Sequence, residues 1–531
     1  MIDAQSDQFR QSTSSHLPGP ALALLIATGA FATLYAVTSL WMPLGWDHGM
    51  MATVGVDLAQ GKMPYKDSWE LKAPLAFFPY SVAWLLFGNT MWGVRIVDLL
   101  ILVPLLLLYM RELRQQSDFT IAALAALLVF LWFAHQGWFF TAQPDPWASM
   151  LAAVAVCMTF PRADNTRPRP LIYYCSGLLI GMAALIKPVY LGMGLAPLIS
   201  AAFAPSDFSS RWRTVLRDAS LLGAGTATAA AICLLYLAAG GALGDAIESQ
   251  FYYNIGTYAK ADRVSPTIAF FRVLSFFTQG HVTILLLFAS LVFWARPHEK
   301  VLIAQLLAWL VAGLVAVVVQ AKYYQSHWAA LFPALVACAA LGAHQVVQGP
   351  PASSAVRKLA AIGFALVVLQ LGVELARDIR RWTILVVNGS TADYYRKYEK
   401  FYTEAWWFTP AHQVEAADHI RKNSAPDDGL YIWGNEAIIR FLADRPSPTR
   451  FGFNLPLVLD GPYLAAYRAE VMEDLKSAPP RYIVIGLSWE GGRKETSLAK
   501  FPEFKDFLAK HYAFEIAFGT VHLYRRRDVP N

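Results

Sequence analysis

The chain has 531 residues, of which 56% are hydrophobic and only 15% charged, and its mean hydropathy is +0.38. An ordinary soluble domain carries about 25% charged residues, so this composition excludes a disordered, collagenous or wholly soluble protein and indicates a polytopic membrane protein with some soluble mass. The net charge of +6 comes from short, scattered basic runs, which are typical of membrane-orientation signals, and no nucleic-acid partner is expected. The four cysteines lie singly in apolar runs and predict neither disulfides nor a zinc site.

About eleven apolar runs of roughly spanning length follow one another along the chain. They cover 21–42, 92–110, 119–137, 146–160, 171–187, 189–204, 219–239, 280–295, 301–320, 328–345 and 358–376. A shorter run at 75–88 is predicted to lie beside the membrane without crossing it, because only then do the arginine-rich short loops share one side. We therefore predict a helical membrane domain over 21–379, preceded by a cytoplasmic tail, 1–20.

The same rule places the two large loops, 43–91 and 240–279, on the non-cytoplasmic face together with the tail, 380–531. The tail alternates helical segments with short apolar strands, which predicts a soluble α/β domain. Its predicted helices and strands are 412–422, 462–476 and 502–511, and 430–433, 482–486, 514–518 and 521–524. We expect a multi-pass protein of a bacterial inner membrane, in contact with membrane lipids, whose tail is periplasmic.

Loop 43–91 carries titratable groups at an unusual density for a segment beside a membrane. They are Asp47, His48, Asp57, Lys62, Lys66, Asp67, Glu70 and Lys72. A helix is predicted from about His48 to Gln60, with Gly61 ending it, which puts Asp47 at the N-cap. Asp47 is then either a structural cap or a general base beside the bilayer, and the sequence leaves both interpretations open.

Asp145, in Gln143-Pro144-Asp145-Pro146, is likewise either the N-cap of a span or a second carboxylate that faces Asp47. Several basic residues also fall on the predicted outer side. They are Lys72, Lys187, Lys260, Arg263, Arg272 and Lys322. Singly, each could snorkel to the membrane surface, whereas together they could bind a phosphate group. Arg95 and Asp98, one turn apart on a span, are expected to pair with each other.

Four stretches of the chain match a known pattern. They are Asp47-His48-Gly49 with Gly61-Lys62-Met63-Pro64-Tyr65-Lys66-Asp67 and Glu70-Leu71-Lys72-Ala73-Pro74-Leu75; Leu86-Phe87-Gly88 with Gly93-Val94-Arg95; Lys322-Tyr323-Tyr324 with His327 and Pro333; and Pro480-Arg481-Tyr482-Ile483-Val484. In these stretches the chain resembles the GT-C-fold glycosyltransferases that use polyprenyl-phosphate sugars. The likeness is to the family of protein O-mannosyltransferases and lipid A aminoarabinose transferases.

The resemblance implies an integral-membrane transferase that moves a sugar from a polyprenyl-phosphate donor to a periplasmic glycan, lipid or protein acceptor, with inversion at the anomeric carbon. It implies that Asp47 is the general base, that Asp145 is the second outer-loop carboxylate and that Lys72 contacts the lipid phosphate. Further candidates for phosphate binding are Lys187, Lys322 and Arg263. Candidates for substrate binding or support are His48, Glu70, Arg95, Tyr324 and His327.

The chain departs from the family pattern at two places. His48 stands where the family commonly has Glu, and the usual Glu-Lys-Pro run is interrupted as Glu-Leu-Lys-Ala-Pro at 70–74. No metal ligands are predicted and no cofactor is certain, while a divalent metal is left open. The alternative function is a transporter or flippase of lipid-linked sugars.

Overall fold

The computed structural model describes residues 19–161, 168–202, 208–261, 263–295, 299–348, 354–398, 400–403, 406–487 and 498–528. Each predicted apolar run is helical. Numbered in chain order, the helices of this part are α1 Gly19–Ser39, α2 Trp46–Ala59, α3 Phe78–Phe87, α4 Met91–Arg114, α5 Phe119–His135, α6 Pro144–Cys157, α7 Pro170–Ile186, α8 Leu195–Ala202, α9 Phe208–Ala239, α10 Leu243–Ile247, α11 Pro266–Phe277, α12 Gly280–Ala295, α13 Lys300–Val319, α14 Phe332–Gln348 and α15 Ser354–Asn388. Short 3₁₀ turns cover Pro74–Ala76, Pro188–Gly194 and Gln325–Ala330, and a π-helix covers Glu248–Tyr258.

The helices differ in whether they are long enough to cross a bilayer alone. Within the described ranges, five helices are long and apolar enough, or six if α11 and α12, which meet at 73°, count as one broken span. The other predicted spans are shorter helices: α5, α6, α7, α14, and α8 with the 3₁₀ turn before it. Helix α3 has 10 residues and is about 15 Å long, half of a hydrocarbon core of about 30 Å, which agrees with a segment that does not cross.

Small residues allow α7 and α9 to pack closely. A side chain at Gly177 of α7 would overlap the carbonyl of Leu222 on α9, and one at Gly225 of α9 would overlap the carbonyl of Tyr174 on α7. Close approach at small residues is typical of helices that associate in membranes.

Helix α4 connects the two ends of the bundle. Just before it begins, the Asn89 amide donates to the carbonyl of Phe441 in the C-terminal domain. Just after it ends, Gln116 contacts Pro161, and Asp118 lies 3.1 Å from the His344 ring. The end of α4, Pro161 at the start of the predicted cytoplasmic loop 161–170, and His344, just before the predicted loop 346–358, therefore lie at the end opposite the C-terminal domain. We call this end the loop end and the other the domain end.

The C-terminal part contains a four-stranded mixed sheet with helices against it. Its elements are α16 Thr391–Arg396, β1 Lys400–Thr403, β2 Trp406–Phe408, α17 Pro410–Lys422, β3 Leu430–Trp433, α18 Ala437–Ala443, α19 Leu464–Ser477, β4 Tyr482–Gly486, α20 Pro502–His511, β5 Tyr512–Phe518 and β6 Val521–Arg526. The sheet order is β3-β4-β6-β5; β3 and β4 are parallel and the other pairs antiparallel. The predicted α/β pattern is confirmed, and β3, β4 and α20 have the predicted bounds.

The C-terminal domain and loop 43–91 share one core. The indole of Trp69 packs against the rings of Phe451, Phe453 and Tyr467, and the Trp69 amide donates to the Arg450 carbonyl at 2.8 Å. The C-terminal domain is therefore docked on the segment that carries four of the predicted site residues, Asp47, His48, Glu70 and Lys72. Helix α15 continues to Asn388, past the predicted boundary at 379.

Candidate active site

The Asp47 carboxylate does not cap the N-terminus of α2. Gly45 is the N-cap, and the ring of His48 reaches back so that its Nδ1 accepts the Gly45 N–H at 3.0 Å. Asp47 is the second residue of the helix, and its side chain is 42% exposed. The predicted N-cap role of Asp47 is wrong, because the helix begins earlier than predicted and His48 supplies the acceptor at its end.

His48 ties this helix end to the loop between α5 and α6. Its Nε2 lies 2.7 Å from the Thr141 carbonyl, which can only accept, so Nε2 carries the proton and Nδ1 is the acceptor. Burial, and then the nearby charge of Arg95, lower the pKa of His48 to about 3. The ring is therefore neutral and both its nitrogens are engaged, so His48 supports Asp47 rather than facing solvent.

Arg95 also holds the loop between α5 and α6 through hydrogen bonds. Its guanidinium donates to Thr141 Oγ1 at 2.6 Å and to the carbonyls of Pro43 and Trp138 at 2.6 and 2.9 Å. Asp98 instead accepts the Trp147 indole N–H at 2.7 Å. The expected Arg95–Asp98 ion pair is wrong, because each group finds closer partners across the bundle.

Lys72 lies between two carboxylates. Its Nζ is 3.7 Å from Asp47 Oδ1 and 3.7 Å from Glu70 Oε1. Burial alone would lower the pKa of Lys72, but the charges of Asp47 and Glu70, with a further contribution from Asp145, outweigh it and raise that pKa. Lys72 is therefore a stable cation at the domain end, next to the free carboxylate of Asp47.

The backbone around Lys72 is held by residues that the sequence did not reveal. The Tyr65 hydroxyl donates to the Lys72 carbonyl at 2.8 Å, and the Gln250 amide donates to the carbonyls of Leu71 and Lys72 at 2.9 and 3.2 Å. Ser249 donates to the Glu70 carbonyl. The only sequence signal was the polar Glu248-Ser249-Gln250 run in the tyrosine-rich loop 240–279.

Asp145 and Lys187 form a second charged pair. Asp145 is the second residue of α6, whose N-cap is Gln143, so its predicted capping role is also wrong. The buried Asp145 carboxylate lies 2.6 Å from Lys187 Nζ. Because Asp145 also acts electrostatically on Lys72, the two carboxylate–lysine pairs belong to one charged region.

The 3₁₀ turn at Gln325–Ala330 borders this region. His327 is buried, and burial, then the charges of Lys187 and Lys322, hold its pKa well below the usual value. Lys322 Nζ lies over the ring of Tyr258, 3.3 Å from its centre. The Tyr324 ring is 5.2 Å from that of His327. Lys187 and Lys322 therefore approach the same imidazole from two segments.

The structure thus brings together most of the predicted residues. The charged group consists of Asp47, Glu70, Lys72, Asp145 and Lys187. Next to it lie His327, Lys322 and Tyr324. The side chains of His48 and Arg95 hold the neighbouring backbone. Arg263 is exposed, and no contact found among the described residues joins it to another site candidate; only its neighbour Val264 reaches this area, donating to the Ala321 carbonyl at 3.3 Å.

The donor set does not suit a metal ion. Within the described ranges, no group of three His, Cys, Asp or Glu side chains lies close enough to hold one. The carboxylates of Asp47 and Glu70 instead flank the ammonium of Lys72, Asp145 pairs with Lys187, and both nitrogens of His48 are engaged. The side chains of this site are therefore the groups to which the proposed reaction is assigned.

Comparison with known proteins identifies the fold. No protein-family model and no curated protein matches the chain. Among solved structures, it is similar to ArnT from Cupriavidus metallidurans bound to undecaprenyl phosphate, with a TM-score of 0.60 and 12% identity over 95% of this chain and 97% of that chain. The same protein in its apo state gives a TM-score of 0.59 at 13% identity.

A second similarity extends to an archaeal protein. The oligosaccharyltransferase AglB from Archaeoglobus fulgidus, in complex with an inhibitory peptide and a dolichol-phosphate, gives a TM-score of 0.51 and 13% identity over 96% of this chain and 75% of that chain. At these identities the likeness establishes the fold. The chain is a multi-pass membrane protein with the GT-C fold, as the sequence resemblance implied.

Proposed function

We propose that the protein is a membrane glycosyltransferase that moves a sugar from a polyprenyl-phosphate donor to the hydroxyl of a glycan, lipid or protein acceptor. The observation that carries this proposal is the convergence of Asp47 and Lys72, which lie in different parts of loop 43–91 and meet at 3.7 Å. Asp47 is a partly exposed carboxylate that does not cap its helix, and Lys72 is a lysine that stays charged.

These groups meet the minimum needs of the reaction. Asp47 takes the proton of the acceptor hydroxyl, whose oxygen forms a bond to the anomeric carbon while the bond from that carbon to the phosphate oxygen breaks. The electron pair of that bond leaves with the polyprenyl phosphate, and the ammonium of Lys72 balances the charge that grows there. Attack opposite the leaving group inverts the anomeric carbon.

The second charged pair supports the same assignment. Lys187, held by Asp145 at 2.6 Å, and Lys322 both act on His327 and add positive charge to this region, as a lipid phosphate requires. A similar fold was crystallised with undecaprenyl phosphate in ArnT, which supports a lipid phosphate as donor. We place the site on the periplasmic face of a bacterial inner membrane, because Arg111 and Arg114, in the last turn of α4, lie at the opposite, loop end.

The test compares Asp47→Asn with Asp67→Asn in the purified full chain reconstituted in vesicles. Asp67 is an exposed carboxylate on the same loop, and its side chain accepts the nearby Met63 N–H at 2.7 Å. The donors are undecaprenyl-phosphate-linked pentoses and hexoses, and the readout is labelled sugar on a membrane or glycan acceptor. We expect Asp47→Asn to lower transfer by about 10²–10⁴-fold while undecaprenyl phosphate still binds, and Asp67→Asn to stay near wild type.

Equal activity of Asp47→Asn and wild type would remove the general-base assignment. The same assay distinguishes the transporter or flippase alternative, because a flippase moves the intact lipid-linked sugar across the vesicle membrane and leaves the bond between sugar and phosphate unbroken.

A further inference from the structure

Asp98 is a carboxylate on the membrane-spanning helix α4, and the proposed reaction does not use it. Its side chain is buried two turns after the helix begins. A charged group within a span is costly, so one that is present usually serves a function, and its partners indicate which one. Arg95, the expected partner, donates instead to Thr141 and to two backbone carbonyls. The role of Asp98 must therefore lie in other contacts.

Asp98 holds the end of the loop that joins α5 to α6, residues 136–143. One of its carboxylate oxygens accepts the indole N–H of Trp147 on α6 at 2.7 Å. The backbone N–H of Ala142, the last residue but one of the loop, hydrogen-bonds the same carboxylate. Because an ionised carboxylate only accepts and can take several donors, Asp98 fastens both the loop and the start of α6 to α4.

Ala142 has a strained backbone conformation. Its φ is +55°, in the left-handed region that is unfavourable for a residue with a Cβ and that glycine adopts freely. Ala142 is fully buried, and its carbonyl accepts the hydroxyl of Tyr80 on α3 at 2.8 Å. Strained conformations persist where the surrounding structure holds them. Here Asp98 holds the N–H and Tyr80 holds the carbonyl.

The residues on either side of Ala142 support both carboxylates of the candidate active site. The carbonyl of the preceding residue, Thr141, lies 2.7 Å from the ring of His48, which follows Asp47 at the start of α2. Three residues after Ala142, Asp145 forms the second ion pair of the site. A change of backbone conformation at Ala142 would therefore move the support of Asp47 and the position of Asp145 together.

The space beside Asp98 is too small for a substrate. The cavity there is also lined by Tyr35, Arg95 and Thr141, and its volume is about 20 Å³. One water needs about 10–15 Å³ on this scale, so the cavity can admit a water molecule but no sugar or lipid headgroup. Asp98 therefore acts on the site through the backbone that it holds.

We propose that Asp98 is a positioning residue for the transferase site. It keeps Ala142 in the left-handed conformation, and this conformation sets the places of the Thr141 carbonyl and of Asp145. The proposal rests on the proposed function and adds to it a residue that touches no substrate and lies outside loop 43–91.

The first measurement is hydrogen exchange of the purified full chain, which needs no turnover. Asp98→Ala should speed the exchange of the amides in loop 136–143 about ten-fold or more, because the loop loses the acceptor that holds Ala142. Adding Ala142→Gly removes the unfavourable contact of the Cβ in the left-handed conformation. The double variant should therefore exchange more slowly in this loop than Asp98→Ala does.

The second measurement is transfer kinetics. Asp98→Ala should lower kcat about ten-fold or more and change the donor KM less, because Lys72 keeps its own contacts with Tyr65 and Gln250. Ala142→Gly should raise kcat about five-fold in the Asp98→Ala background and less in the wild type. This rescue separates positioning from a general loss of folded protein, which a glycine in a buried loop would not restore.

The matched control is Glu112→Ala, which removes another buried carboxylate of α4 at the loop end, where it accepts from Arg111 and from Gln115 at 2.7 Å. It should keep kcat and the exchange of loop 136–143 near wild type. If Asp98→Ala cannot be purified folded, Asp98→Asn takes its place, because it keeps the volume and leaves one oxygen for two donors; the same losses and the same rescue are expected, on a smaller scale.

Equal kcat of the Asp98 variant and the wild type would overturn the proposal, as would the absence of any gain from Ala142→Gly in the Asp98-variant background. If the wild type transfers no sugar, the proposed function fails, and the exchange of loop 136–143 alone decides whether Asp98 holds Ala142.

Discussion

An ion pair between Asp57 and Arg440 joins the C-terminal domain to the helix that carries Asp47. Asp57 lies near the end of α2, the helix that carries Asp47 at its start, and Arg440 lies on α18. The guanidinium donates to both carboxylate oxygens, at 3.0 and 2.8 Å, and both side chains are at least nine-tenths buried. Arg440→Met removes this pair and keeps the volume of the side chain similar.

The expected loss follows from the burial of the carboxylate. Removing one partner of a buried ion pair costs about 3–5 kcal/mol. Lys62 and Ser68 still donate to Asp57, so we expect the lower end, about 3 kcal/mol. Burial raises the pKa of Asp57, but Arg440 and then Lys62 outweigh it and hold that pKa below its usual range. The stabilisation by this ion pair is therefore complete above the pKa of the carboxyl in the unfolded chain, about 4. It is lost as the pH falls through the lower pKa of Asp57 in the folded protein.

Hydrogen exchange of the α18 amides measures this opening without assuming two-state unfolding. A loss of about 3 kcal/mol corresponds to roughly hundred-fold faster exchange. The control, Arg396→Met, breaks two surface ion pairs, with Asp393 and with Glu415, and such pairs contribute about 0–1 kcal/mol each. Adding Asp57→Asn to Arg440→Met should recover part of the loss, because no uncompensated charge remains.

A stabilising role of this ion pair would be excluded if Arg440→Met and Arg396→Met changed α18 exchange equally, or if the double variant were no more protected than Arg440→Met alone. In either case the C-terminal domain would be held by its apolar core, and the ion pair would contribute little.

Three further predictions concern the same region. A side chain at Gly49 would overlap the backbone at the start of α18. Gly49→Ala should therefore lower the free energy of unfolding of the docked domain by about 1–3 kcal/mol, as measured by thermal unfolding. The control, Gly223→Ala, lies in open space on α9 and should be neutral or stabilising. The pKa of Lys72 is raised, so its ammonium is lost only as the pH rises through a value above the usual one of about 10.4. Undecaprenyl phosphate affinity by titration calorimetry should therefore stay flat between about pH 7.5 and about pH 9, where the phosphate monoester, with its second pKa of about 6, is fully ionised; a decline within that window would contradict the prediction. His48→Phe removes both hydrogen bonds that fix the helix beside Asp47, so kcat should fall about ten-fold with the donor KM little changed, and separate kcat and KM measurements decide this.

Much of the fold could be predicted from local patterns. Apolar runs of near-spanning length marked most helices of the bundle, although α10 and α11 lie in the predicted loop 240–279. Alternating segments marked the α/β domain, with β3, β4 and α20 found at their predicted bounds. Such patterns lie within a window of about 20 residues, so they do not depend on the rest of the chain. The candidate residues of loop 43–91 were also visible, because charge is rare beside a membrane.

The partners of those residues could not be predicted. Asp47 and Asp145 both fit an N-cap in sequence, yet neither caps its helix, since Gly45 and Gln143 take those positions. The cap is set by which acceptor reaches the free N–H groups, and at α2 that acceptor is His48, held by the loop carbonyl of Thr141.

The sequence by itself determined the class of the protein, its helical segments and the set of charged residues from which a site could be built. Only the tertiary structure decided that Asp47 meets Lys72, that Asp145 meets Lys187 and that Arg95 serves the backbone instead of Asp98. The physical reason is that hydrophobic periodicity acts locally, whereas the partner of a charge is chosen by which groups the packed helices bring within a few ångströms.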